Sequence, residues 1–343
     1  MLNIKSLIAA TVLTGVAAVS FAQAPAAPAA TAPAKPATPA VAAAPATPAA
    51  AATPAAPAAK PAGPAAGKKP SSADILAASK PEDWRTVNPE QAVQMELPGG
   101  KVVIELASAF APAHAANIVK LTRAGYFDGL AIIRSQENYV TQWGDAEEDD
   151  GKARKKPEDL AKAPAEFDRP LKGLKVTALP ERDTWAARVG FADGWPVAID
   201  PKKGRAWMTH CNSIVGAARG NEPDSSDGSG LYAIIGHAPR ALDLNITTVG
   251  RVLQGMDKLS SLPRGTGALG FYEKAEERTP LTRVRVLADI PEAERPRLQV
   301  LRTDTATWQA WLNSRRFRGG GWFVHEPAKV ELCGALPPVR TAP

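Results

Sequence analysis

The chain has 343 residues, 45% hydrophobic and 22% charged, with 41 basic and 35 acidic side chains, 32 prolines and two cysteines. The basic excess is local. From Met1 to Ser72 there are five lysines (Lys5, Lys35, Lys60, Lys68, Lys69), 12 of the prolines and no acidic residue. Taking those five from the 41 leaves 36 basic against 35 acidic residues, and no cationic face suggests a nucleic-acid partner. Two cysteines exclude a disulfide-dense mini-scaffold and a four-cysteine zinc site, and roughly 270 residues remain to build a large core.

Residues 1–22 (MLNIKSLIAATVLTGVAAVSFA) read as a cleaved signal peptide: one lysine, an apolar run, and small residues before Gln23. The run is shorter than the ~20 residues of a spanning helix, which predicts a periplasmic or secreted protein with no membrane span after cleavage. Residues 23–71 are Ala/Pro-rich. Frequent prolines remove donors and bias the preceding residues to extended geometry, so a disordered, polyproline-II-like linker is expected.

After a polar lead-in from Ser72 to Gln94, Met95–Leu97 and Lys101–Leu106 flank Pro98-Gly99-Gly100 and predict a β-hairpin. A helix is expected over Ala111–Ala124, with Pro112 at its start, Ile118 and Leu121 on one face, and Gly125 as its stop. Gly129–Asp145 then reads as a strand carrying Arg134, a short polar loop, and a second strand carrying Tyr139, Val140 and Gln142. Strand, strand, helix in this order is not a βαβ unit.

These residues resemble the cyclophilin-type peptidyl-prolyl cis/trans isomerases. GKVVIEL is followed by A-P-x-x-x-x-N-I-x-x-L-x-x-x-G-Y-F-D-G and R-x-x-x-x-Y-V-x-Q-W-G-D, where the family's usual core is F-H-R-x-x-x-x-F-x-x-Q-G-G-D. The spacing of arginine, aromatic and glutamine is kept at Arg134, Tyr139 and Gln142. Val215–Ile235 is similar to the family's M-A-R-x-x-x-P-x-S-x-x-S-Q-F-F-I, and Leu242–Val252 to its L-D-x-x-x-x-V-F-G-x-V. The resemblance spans roughly 92–290, with an insertion at about 146–210 and a C-terminal extension, 291–343, expected to pack on the barrel. It implies a mainly β fold, a closed antiparallel barrel capped by helices. Four positions depart from the family: Ile133 replaces a histidine, Trp143 a glycine, Gly230 a glutamine that bonds substrate backbone, and Ala241 the indole that often lines the proline pocket. Loss of that indole predicts weak cyclosporin binding.

Isomerising an X-Pro bond breaks no bond; the barrier of ~18–20 kcal/mol is amide resonance. A catalyst must prefer the twisted amide, whose nitrogen acquires a lone pair, and a permanently charged donor aimed there meets that requirement. The resemblance assigns that role to Arg134, the proline pocket to Tyr139, Val140 and Tyr232, a further substrate-binding position to Ala218, and the grip on the substrate carbonyl to Gln142. It implies an isomerase acting on unfolded or proline-containing polypeptides and assisting exported proteins, without metal or organic cofactor. The alternative is a weak or inactive peptide-binding module or chaperone on the same fold.

Other signals weigh less. Gly265–Gly270 (GTGALG) lacks the strand and helix of a dinucleotide site and reads as a glycine-rich loop. Asn245-Ile246-Thr247 is a glycosylation sequon in an expected strand, and the charges from Glu147 to Lys156 read as a solvated loop. Trp185, Trp195 and Trp207 in the insertion and Trp308, Trp311 and Trp322 near the end are expected to pack extra elements onto the barrel, the alternative being a recognition surface. Cys211 and Cys333 fall one in each added region, and an exported chain permits them to pair.

Overall fold

The computed structural model describes residues 69–148, 152–318 and 322–343. The expected signal peptide and all but the last three residues of the Ala/Pro-rich stretch lie outside the described residues. In chain order the elements are α1 (Ser72–Ala77), β1 (Trp84–Thr86), β2 (Ala92–Leu97), β3 (Gly100–Leu106), α2 (Pro112–Arg123), β4 (Ala131–Ser135), β5 (Val140–Gly144), β6 (Arg169–Pro170), β7 (Thr177–Ala178), β8 (Arg188–Ala192), β9 (Trp195–Asp200), β10 (Arg205–Met208), β11 (Ile214–Ala217), β12 (Leu231–Ile234), β13 (Thr248–Gln254), α3 (Met256–Ser260), β14 (Thr279–Pro280), β15 (Arg283–Val286), β16 (Leu298–Leu301), α4 (Ala306–Arg316) and β17 (Val339–Thr341).

Nine strands form one antiparallel sheet in the order β14-β4-β5-β12-β11-β13-β3-β2-β15. Its two edges are joined by a single stretch of chain. β14 pairs with β4 and β15 with β2, while between them Leu281 N donates to Leu130 O (2.7 Å) and Thr282 N to Glu96 O (2.9 Å). The sheet therefore closes on itself and leaves no long edge exposed. In the first hairpin Leu97 faces Gly100, so Pro98 and Gly99 form a two-residue turn.

Side chains alternate across the barrel wall, as the period of two in a strand requires. Val93, Met95, Val102, Ile104, Ile132, Trp143, Val215, Leu231 and Ala233 point inward, with Ile118 and Leu121 of α2 covering one end. One of the departures from the family pattern, Trp143, thus belongs to the barrel interior.

The insertion forms its own five-stranded sheet, β6-β10-β9-β8-β7, and a third sheet, β1-β16-β17, ties the lead-in to the C-terminal extension. The lead-in is accordingly more than a polar approach: Trp84 faces Leu301 across β1 and β16. The insertion, α4 and the outer face of the barrel share a second core. Here Phe191, Trp195 and Trp207 meet Trp308, Trp311, Cys211, Tyr232 and Ile234. Trp308 is fully buried, stacked on Trp311 (5.2 Å) and edge-on to Phe191 (5.0 Å). Trp185 and Trp322 do not join that packing and are 56% and 81% exposed. A Cys211–Cys333 disulfide staples insertion to extension across 122 residues of chain. A carboxylate from the insertion also caps α2: Glu166 accepts from Ala113 N (2.9 Å), His114 N (3.0 Å) and His114 Nδ1 (2.7 Å), where the N-cap residue Ala111 has no acceptor of its own.

Two loop readings change. The sequon Asn245–Thr247 precedes β13 rather than lying in it. The charge run is partly folded back: Lys156 pairs with Glu148 (2.7 Å) and Asp227 (2.8 Å), and Arg154 NH1 donates to Tyr126 O at 3.0 Å.

Candidate active site

The outward-facing residues of three neighbouring strands place the candidate side chains in one row. Arg134 of β4 is opposite Gln142 of β5, Gln142 is opposite Tyr232 of β12, and Tyr232 is opposite Gly216 of β11. Arg134 reaches this row because the β4–β5 register slips between Ile132 and Arg134; the extra residue turns the arginine outward while Ser135 points in and is fully buried. Val140, two residues before Gln142, lies on the same face beside Ile234.

Arg134 is half-buried and held from several sides. Its NH1 donates to Gln142 Oε1 (3.3 Å), its Nε to Leu269 O (2.7 Å), and its NH2 to Gln136 Oε1. The guanidinium also lies between the rings of Tyr139 (5.5 Å) and Phe271 (5.2 Å). Burial pulls its pKa below the ordinary arginine value, opposed by Tyr139 and Tyr232, and the group stays cationic. The Gly265–Gly270 loop supplies the Leu269 carbonyl. Gly270, at φ +78°, sits so near β4 that a Cβ there would lie 2.7 Å from Gln136 Cα, which only glycine permits.

Val140 and Tyr232 form a buried floor, 2% and 5% exposed, and Tyr139 is partly buried beside them. The Tyr232 ring lies directly over Gly216, where a Cβ would come within 2.3 Å of it. Burial, with the nearby Tyr139 and Asp243, pushes the Tyr232 phenol far up, so it keeps its proton. Its hydroxyl meets His210 Nε2 at 3.1 Å.

Ala218 and Gly230 sit at the other end of the row. Ala218 N donates to Gly230 O (2.9 Å), and both line a cavity of about 430 Å³ shared with Gln142, Trp143 and Ser229. Ala241, in an exposed turn, has its carbonyl bonded by Asn245 Nδ2 (3.2 Å). That turn is pinned from below: Asp243 accepts from His210, Arg240 and Trp207, and Arg240 NH1 reaches Asp183 at 2.9 Å.

The structure therefore brings Arg134, Tyr139, Val140, Gln142 and Tyr232 onto one face, with Ala218 at its edge beyond Gln142. Sequence reasoning missed Gln136, Leu269 and Phe271 around the arginine, and His210 and Asp243 behind the tyrosine. The glycines of 265–270 were the only sign of the first group; the second becomes visible only once the insertion is folded.

No helix among the described residues is long and apolar enough to cross a membrane. The family profile described as cyclophilin type peptidyl-prolyl cis-trans isomerase/CLD matches residues 92–287. Probable peptidyl-prolyl cis-trans isomerases of Brucella suis biovar 1 and Brucella abortus (strain 2308) are 26% and 25% identical over 181 residues, 53% of this chain and 76% of each relative. The crystal structure of cyclophilin AquaCyp293 from Hirschia baltica superposes with a TM-score of 0.63 at 28% identity, covering 78% of this chain and 96% of that one. That coverage exceeds the span of the family profile, so the likeness extends into the added elements. A closed antiparallel barrel carrying an arginine, aromatic and glutamine row, matched by this profile over more than half its length, belongs to the cyclophilin-type peptidyl-prolyl cis/trans isomerase family.

Proposed function

We propose that the face carrying Arg134 is where the isomerase turns X-Pro bonds, and that its substrates are exported polypeptides completing their folding. The observation that carries the first part is the fixed guanidinium. Of its five N–H donors, three are committed to Leu269, Gln136 and Gln142, which hold the fork still and leave two to offer a substrate. In the planar amide the nitrogen lone pair is delocalised and accepts poorly; in the twisted state it is localised. A stationary cationic donor therefore stabilises the twisted state more than either planar isomer, which is the condition for acceleration. Tyr139, Val140 and Tyr232 supply an apolar seat for the proline ring. Gln142 gives its oxygen to Arg134, which leaves its amide nitrogen to donate to the substrate carbonyl, and the backbone at Ala218 borders the residues preceding proline.

Supporting the exported setting are the leader-like residues 1–22 and the Cys211–Cys333 bridge, a cross-link that persists in oxidising compartments. The test is refolding of a secreted protein whose slow phase is a prolyl isomerisation, with mature enzyme added under oxidising conditions. Catalytic amounts should shorten that phase, and Arg134→Ala should not. Peptide binding without acceleration would instead identify a binding module, the reading that Gly230 favours by removing one substrate-bonding amide.

A further inference from the structure

Tyr232 stands where the family's motif has phenylalanine, so this chain places a phenolic hydroxyl beneath the site. A buried hydroxyl without a partner is costly, and here the partner comes from outside the barrel. His210, fully buried at the end of the insertion, points Nε2 at the Tyr232 oxygen (3.1 Å) with the two ring planes 14° from parallel. Its other face is fixed by Asp243, whose Oδ1 takes both His210 N (2.9 Å) and Nδ1 (3.0 Å). Asp243 Oδ2 accepts from Arg240 Nε (2.6 Å) and Trp207 Nε1 (3.3 Å), and Arg240 continues to Asp183. With Nδ1 held by a carboxylate, which can only accept, the ring is oriented so that Nε2 meets the Tyr232 hydroxyl. The opposite side of the Tyr232 ring has no room to retreat, because it lies against Gly216. The next residue, Cys211, is stapled to Cys333, which fixes the backbone that carries the imidazole.

We propose that His210 is a positioning residue for prolyl isomerisation. Oriented by Asp243, it holds the Tyr232 ring at the depth that seats the proline, so the insertion is a working part of the active site. The inference rests on the assignment of catalysis to the Arg134 face.

The experiment is a double-mutant cycle on isomerisation of an Ala-Pro peptide by the mature chain, with folding checked by near-UV circular dichroism. His210→Leu in the wild-type background should lower kcat/KM about tenfold, the consequence of one buried hydroxyl left unpaired. Introduced onto Tyr232→Phe, the same change should cost less than about twofold, because no hydroxyl remains to hold. His210→Gln, whose amide can still hydrogen-bond the phenol, should recover most of the loss. If His210→Leu fails to fold alone, the Gln variant and the change on Tyr232→Phe carry the test. Equal losses in both backgrounds, no rescue by Gln, or no loss in an active wild type would overturn the positioning role. A wild type that accelerates nothing would overturn the assignment of catalysis to this face, and the positioning role with it.

Discussion

Breaking the Cys211–Cys333 bridge is expected to destabilise the fold more than any single exposed ion pair could. The bridge closes 122 residues of chain, from the foot of β11 to the C-terminal extension. In the chain-entropy treatment a loop of that length confines the unfolded state by about 5 kcal/mol at 25 °C. For a folded part of roughly 270 residues, each kcal/mol moves the melting temperature by roughly 2 °C, so Cys333→Ala should melt on the order of 10 °C below wild type. Cys333 is the better site to change because it is only partly buried, whereas Cys211 is wholly enclosed in the second core. The assay is scanning calorimetry of both proteins in non-reducing buffer, beside thiol titration of the denatured wild type with and without reductant. Two thiols appearing only after reduction, with the large fall in Tm, is the expected result. A fall below about 3 °C, or equal titrations, would refute the reasoning.

Three further outcomes follow from the same geometry. Gly216→Ala would place a methyl within 2.3 Å of the Tyr232 ring; overpacking should cost about 1–3 kcal/mol of stability and lower kcat/KM, and an unchanged urea midpoint would contradict this. Asp243 is buried, which by itself raises its pKa, but the His210 hydrogen bond and the Arg240 charge outweigh that and hold the folded-state value below the ordinary one. Its contribution is therefore complete above the unfolded value near pH 4 and is lost as pH falls through the lower folded value. The stability gap between wild type and Asp243→Asn should accordingly be wide at pH 7 and shrink progressively as pH falls below about 4, and a gap that widens in acid would reverse the sign. Trp308→Ala empties the centre of the second core and should cost about 3–5 kcal/mol in equilibrium unfolding; a loss under 1 kcal/mol would show that the insertion and α4 do not depend on it.

The barrel was readable because its strands alternate and its turns carry their own residues. Pro98-Gly99 sets the first hairpin, and the interval from Arg134 to Gln142 spans a single short loop between two paired strands, so spacing along the chain translates directly into neighbours on one face. The insertion was not readable. β6 and β7 are two residues each, too short to show a period, and its strands are defined by a core built jointly with α4, more than a hundred residues later. The pairing of His210 with Tyr232 spans 22 residues that include two barrel strands, and the Gly265–Gly270 loop meets Arg134 across 135 residues. The first has no local pattern, and the glycines that mark the second do not say which strand the loop meets. The charge run misled because Lys156, besides pairing with Glu148 within the run, finds a second acid at Asp227, far along the chain.

The central claim is that a fixed guanidinium at Arg134 turns the X-Pro bond. It is tested most directly by the isomerisation rate of a short Ala-Pro peptide with the wild-type chain and with Arg134→Ala at matched folding. A hydrogen bond from a charged donor is worth about 1.5–3 kcal/mol, so kcat/KM should fall by roughly ten- to a hundredfold. A folded Arg134→Ala protein that isomerises the peptide within twofold of wild type would contradict the account.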